Sequence, residues 1–108
     1  MREIGIDIVE NKRIKMTSDF IEKILTDKER DIFNSKKGHK QLEFLCGRFA
    51  AKEAIIKCLS KQQILNPLEI EITNDDIGRP VAVVHNFDVS ISIAHEKNYS
   101  VAIAINNK

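Results

Sequence analysis

Hydrophobic and polar positions along this chain change their period twice. Near the N-terminus Ile4, Ile6 and Ile8 alternate with Gly5, Asp7 and Val9. That two-residue period predicts a strand over residues 3–9. Phe20, Ile21, Ile24 and Leu25 then fall on one helical stripe, with Asp19 and Glu22 spaced like an N-cap pair. Thr26 and Glu29 have capping-box spacing and predict a second short helix over about 27–34. Ser35-Lys36-Lys37-Gly38 reads as a loop, and a long helix is expected over about 40–60. After the Asn66-Pro67 turn the period returns to two. Leu68, Ile70 and Ile72 alternate with Glu69, Glu71 and Thr73, and a turn over 74–78 leads to a strand from Pro80 to Val84. Val89, Ile91 and Ile93 mark another strand, and the loop Glu96-Lys97-Asn98 joins it to a last one over Tyr99–Ile105. The expected class is α+β: an N-terminal strand, short helices, one long buried central helix, then a mostly antiparallel set of strands in a single domain over 1–108.

The central helix carries the least ordinary pattern. From Phe44 to Ser60 apolar side chains appear all the way round the wheel, as in a helix buried in a core or between subunits. Two narrow polar stripes interrupt it. Glu53, Lys57 and Ser60 form one; Arg48 and Lys52 form the other. An acid on a buried helix must be paired, protonated or bound to a metal, so Glu53 needs an explanation. Asp7 needs one too, because Asp is a poor strand former and stands here between two isoleucines. Two carboxylates converging from separate elements suit Mg²⁺, which takes one or two of them and fills its octahedron with waters and substrate phosphates. Lys57 and Arg48 would then supply positive charge for those phosphates.

Composition narrows the partners. A chain of 108 residues, 43% hydrophobic, supports one core and little room for a deep private pocket, so a site shared between subunits is expected. Net charge is only +1, with five Phe and one Tyr, which disfavours nucleic acid. The charge is uneven: residues 1–61 carry +4 and residues 62–108 carry −3, and a basic half favours an anionic partner. Cys46 and Cys58 lie about 18 Å apart along one helix, too far to bridge, and read as buried thiols in a reducing compartment. The N-terminal residues show no signal-peptide pattern and no run reaches membrane-spanning length, so a soluble, cytoplasmic protein is expected.

Three segments together carry a resemblance. GIDIVE at the start, RFAAKEAIIK in the middle and SISIAHEKNYSVAIAI at the end resemble holo-acyl-carrier-protein synthase, of the small 4′-phosphopantetheinyl transferases, in order and separation. The likeness covers nearly the whole chain. It implies the 4′-phosphopantetheinyl transferase fold and transfer of the phosphopantetheine arm of coenzyme A to a serine of apo acyl carrier protein, in fatty acid biosynthesis. It also implies Mg²⁺ dependence and a homotrimer with active sites between adjacent subunits. Residue by residue, it implies metal-binding acids at Asp7 and Glu53 and a lysine near the coenzyme A phosphates at Lys57. It implies another phosphate contact at Arg48 and a histidine at the nucleotide end, His95. Gly78 and Pro80 match a turn near the adenine, and Arg13 matches a contact to the acidic carrier protein. The implied catalytic set is Asp7, Glu53 and Lys57; a metal-associated water relayed through Glu53 or Asp7 is the expected proton acceptor.

The chain departs from that pattern beside the expected pyrophosphate site, with Ser60 in place of a glycine and Ile56 in place of a frequent serine. Simpler readings stand beside each residue. Glu53 and Lys57 also fit an i, i+4 helix pair, Asp7 a lysine's partner, and His95 a satisfied structural group. His39 and His85 read as surface residues. Two other classes fit the same acids or charges: a different Mg-dependent phosphoryl or phosphodiester enzyme, and a non-catalytic module that binds an acidic helical partner.

Overall fold

The computed structural model describes residues 3–108. Five strands and three α-helices follow one another as β1 (Ile4–Glu10), α1 (Ser18–Ile24), α2 (Asp27–Ser35), α3 (His39–Leu59), β2 (Ile70–Asn74), β3 (Pro80–Val84), β4 (Val89–His95) and β5 (Tyr99–Asn106). The strands form two antiparallel sheets, one ordered β1-β5-β4 and one made of β2 and β3. The α+β reading holds.

Helix α3 lies across the inner face of the three-stranded sheet and packs on β1 and β5. Its Ala50, Ala51, Ala54, Ile55, Cys58 and Leu59 join Ala102, Ala104, Ile70 and Ile72 in the main core. Small residues at the contact bring helix and strand together. At Gly5 a Cβ would stand 1.9 Å from the Ala54 carbonyl oxygen, so only glycine lets β1 sit this close to α3. Fully buried Leu45, Ile55 and Leu59 contribute roughly 1.5–3 kcal/mol each through removal from water. Ile24, Leu25, Phe33, Phe44 and Leu45 form a second cluster that holds α1 and α2 to α3.

The outer face of the same sheet is apolar and open. Ile4, Ile6 and Ile8 are 63%, 60% and 66% exposed. They pair across the strands with Ile105, Ile103 and Val101.

Three local expectations are corrected. Helix α1 is capped by Thr17, whose side chain accepts from the Phe20 N–H, and not by Asp19. The strand expected from Leu68 begins at Ile70. Asn66 caps a single 3₁₀ turn, Pro67–Glu69, with proline in its first turn, and Leu68 points into solvent. The acid stripe of α3, expected to be buried, is the more open of the two: Glu53 is half-buried and Lys57 and Ser60 are exposed, while Arg48 and Lys52 are buried. The fully buried acid is Glu29. Its carboxylate accepts from Lys52 Nζ at 2.6 Å and from the Ile72 N–H at 2.8 Å, and Lys52 also donates to the Ile24 and Pro67 carbonyls.

Candidate active site

Strand alternation puts Asp7 on the inner face of β1 with Gly5 and Val9, against α3. The helix meets it one turn past Glu53. Lys57 Nζ donates to Asp7 Oδ1 at 2.9 Å and to the Ile6 carbonyl at 3.0 Å. Asp7 and Glu53 line one concavity of about 580 Å³, together with Val9, Glu10, Arg13, Phe49 and Tyr99. Burial raises the Glu53 carboxyl above its ordinary pKa, the Asp7 charge raises it further, and Lys57 partly offsets both. Among the described residues Glu53 has no ion-pair partner, so of the two acids Asp7 is the one the lysine neutralises. Arg13 lies at the rim, 80% exposed, bridged to Glu10 at 3.3 Å.

Arg48 and His95 open on a different concavity, of about 250 Å³, lined also by Lys36, Lys40, Glu43 and Asn74. The two groups of residues sit about 140° apart around α3, as the five-residue step from Arg48 to Glu53 requires. Arg48 is 6% exposed. Its guanidinium stacks 4.3 Å from the Phe44 ring centroid and donates to Asn74 Oδ1 at 3.0 Å, while its buried Nε has no partner. Burial lowers the Arg48 pKa, with Glu29 opposing. His95 is lowered by desolvation first; Glu43 raises it and Arg48 lowers it.

Gly78 reaches this group through Asn74, whose Nδ2 donates to the Gly78 carbonyl at 3.0 Å. Its φ of +88° closes the turn after β2, a conformation glycine adopts without strain. Pro80 does not join them. It lines a separate surface with Asp75, Arg79, Asp88 and Val89. Ser60 ends α3 in ordinary helical backbone, φ −61° and ψ −23°, with its hydroxyl donating to the Lys57 carbonyl. No glycine is needed there to terminate the helix.

Among the described residues no three His, Cys, Asp or Glu side chains gather as a metal cage. The donor set is the pair Asp7 and Glu53. Two carboxylates close enough for the Asp7 charge to raise the proton affinity of Glu53, with open volume beside them, fit a hard divalent ion that keeps waters and phosphate oxygens as its other ligands. Lys36 and Lys40 escaped the sequence reading, because their shared concavity with His95 depends on the packing of α2, α3 and β4. So did the Glu29–Lys52 pair, although its capping-box half was visible.

The family model of the 4′-phosphopantetheinyl transferase superfamily matches residues 3–104. This chain belongs to that superfamily. Among curated relatives, the holo-[acyl-carrier-protein] synthase of Mycoplasma capricolum subsp. capricolum is 46% identical over 106 residues, covering 97% of this chain and 94% of the relative. That of Bacillus mycoides is 42% identical, covering 92% and 89%. A crystal structure of a holo-(acyl-carrier-protein) synthase from Bacillus anthracis str. Ames in complex with CoA (3′,5′-ADP) superposes with a TM-score of 0.89 at 42% identity, covering 96% of this chain and 94% of that one. The resemblance in the three motifs thus extends over the whole fold.

Proposed function

We propose that this chain transfers the 4′-phosphopantetheine group of coenzyme A to a serine of apo acyl carrier protein, giving holo acyl carrier protein and adenosine 3′,5′-bisphosphate, in fatty acid biosynthesis. One observation carries this reading: the strand acid Asp7 and the helix acid Glu53 line one open concavity, with Lys57 bonded to Asp7, in a member of this superfamily. Relatives named holo-[acyl-carrier-protein] synthase support the substrate pair, and the single domain formed by residues 3–108 carries the activity. The other phosphoryl enzyme and the non-catalytic module are not favoured.

Asp7 and Glu53 would hold Mg²⁺, which supplies neutralisation of charge on the pyrophosphate and the leaving bisphosphate. The chain's own residues do the rest. Lys57, tethered to Asp7 and the Ile6 carbonyl but more than half exposed, has donor capacity left for a non-bridging phosphate oxygen. Glu53 has no lysine bonded to it, so it is the carboxylate with oxygens left to accept from the serine hydroxyl or from a water between them. Arg48 and His95, with Gly78 and Lys36 and Lys40 nearby, receive the nucleotide end. Arg48 acts from a fixed, stacked position and not as a mobile phosphate arm. Pro80 follows the Gly78 turn and lines a separate concavity. Arg13 at the acid-lined rim contacts the carrier protein.

The assembly in this reading is a homotrimer with sites between adjacent subunits. Its support is twofold: the acid pair and the Arg48–His95 pair open on different concavities of one chain, and the outer face of β1 and β5 is an exposed isoleucine strip. A cytoplasmic setting goes with Cys46 and Cys58 as buried free thiols. Among the described residues no helix is long and apolar enough to cross a membrane.

Incubation with apo acyl carrier protein, coenzyme A and Mg²⁺, read by intact mass, tests the reaction. The expected result is one added phosphopantetheine arm, lost with EDTA and with Glu53→Gln. No mass gain and no coenzyme A binding would refute the assignment.

A further inference from the structure

His95 is not an isolated ring at the end of β4. Its Nδ1 lies 3.0 Å from Ser100 Oγ, its cross-strand register partner on β5. The Ser100 hydroxyl in turn donates to Asn11 Oδ1 at 2.9 Å. Both partners are interior: Ser100 is 0% and Asn11 3% exposed. Asn11 is itself pinned where the chain leaves β1, its backbone N–H donating to the Asn98 carbonyl at 2.8 Å. The imidazole lies against Gly47 of α3, where a Cβ would meet its Cε1 at 2.6 Å.

A serine hydroxyl has one proton to give. Ser100 gives it to Asn11, so toward His95 it can only accept, and Nδ1 must carry the hydrogen. We propose that Asn11 and Ser100 are positioning residues for His95, fixing its imidazole as the Nδ1–H tautomer and leaving Nε2 as the free ring nitrogen for the nucleotide end of coenzyme A. The inference rests on the function proposed above and assigns two residues that neither the motifs nor the acid site required. A second consequence follows from the same bond. Nδ1 donates to Ser100 whether the ring is neutral or protonated, so Nε2 can gain a proton beside an anionic ligand without breaking the chain. Burial and the Arg48 charge oppose that proton gain and Glu43 favours it, and the ammonium groups of Lys36 and Lys40 line the same concavity.

The test has a ligand-free arm and a kinetic arm. Long-range ¹⁵N–¹H spectra of histidine-labelled, ligand-free protein at neutral pH are expected to show His95 as Nδ1–H. Asn11→Leu removes the acceptor and frees the Ser100 proton for Nδ1, so the ring is expected to switch to Nε2–H. An Nε2–H tautomer in the wild type, or no switch in Asn11→Leu with its melting temperature retained, would overturn the relay. In the kinetic arm Ser100→Ala is expected to raise KM for coenzyme A about two- to tenfold, more than it changes kcat, as the loss of one buried hydrogen bond implies. Ser100→Thr, which keeps the hydroxyl, is expected to restore it. An unchanged KM in Ser100→Ala would overturn the positioning role. His95→Ala separates the two layers: an unchanged KM there would remove the nucleotide reading of His95 itself, whatever its tautomer.

Discussion

Glu53 and Lys52 are neighbours in sequence with opposite fates. Glu53 is half-open, and burial and Asp7 together make its ionisation unfavourable in the fold. That penalty is absent below the ordinary carboxylate range and develops as pH rises through the raised pKa. Glu53→Gln is therefore expected to melt higher than the wild type at neutral pH, with the gap closing near about pH 4, where both side chains are neutral. Mg²⁺ is expected to raise the wild-type melting temperature and to do so much less for Glu53→Gln; calorimetry across pH and metal concentration checks both. Lys52 is sealed in, its amine held by Glu29 and two carbonyls. Lys52→Met strands the Glu29 carboxylate and is expected to cost about 3–5 kcal/mol in denaturant unfolding, and adding Glu29→Gln to recover a large part of it. The contrast marks what could be read in advance. Asp7, Glu53 and Lys57 stood out because each broke a regular apolar pattern. The partnership of Lys52 with Glu29 did not, since 23 residues separate them and only the packing of α2 on α3 brings them together.

Elements whose start is written in adjacent residues were legible, and those decided by competition were not. The Thr26–Glu29 capping box forms as its spacing required. At residues 67–69 two local signals competed. Strand alternation ran through Leu68, but the Asn66 side chain accepting from the Leu68 N–H and the proline after it favoured a helical turn. The contact that matters most for the site is between β1 and α3. A methyl group at Gly5 would strike helix backbone, which cannot move aside like a side chain. Gly5→Ala is expected to cost about 1–3 kcal/mol by overpacking. By shifting Asp7 away from Lys57, it should also lower kcat/KM beyond what lost stability explains. Melting curves and rates measured on the folded variant separate the two effects.

The α+β architecture of the whole molecule was legible from the change of period along the chain. The separation of the acid pair from the Arg48–His95 pair was not, because the two concavities depend on how α3 packs against the strands and α2; the exposed isoleucines needed the sheet register before they became one surface. Ile6→Glu, or Ile103→Glu opposite it, is expected to yield a folded but monomeric chain by light scattering, with normal far-UV circular dichroism and little transferase activity. Adding salt should not rescue it, since the lost contact is apolar. Strand β1 serves two masters at once: its even positions, Ile4, Ile6 and Ile8, face outward, and its odd ones, Gly5, Asp7 and Val9, face α3. Deleting one residue from the strand while the β5 pairing persists would invert its reading frame. Asp7 would swing to the outside and isoleucine side chains would be forced against the helix, so one slip would take the acid from its concavity and the apolar strip from the surface together.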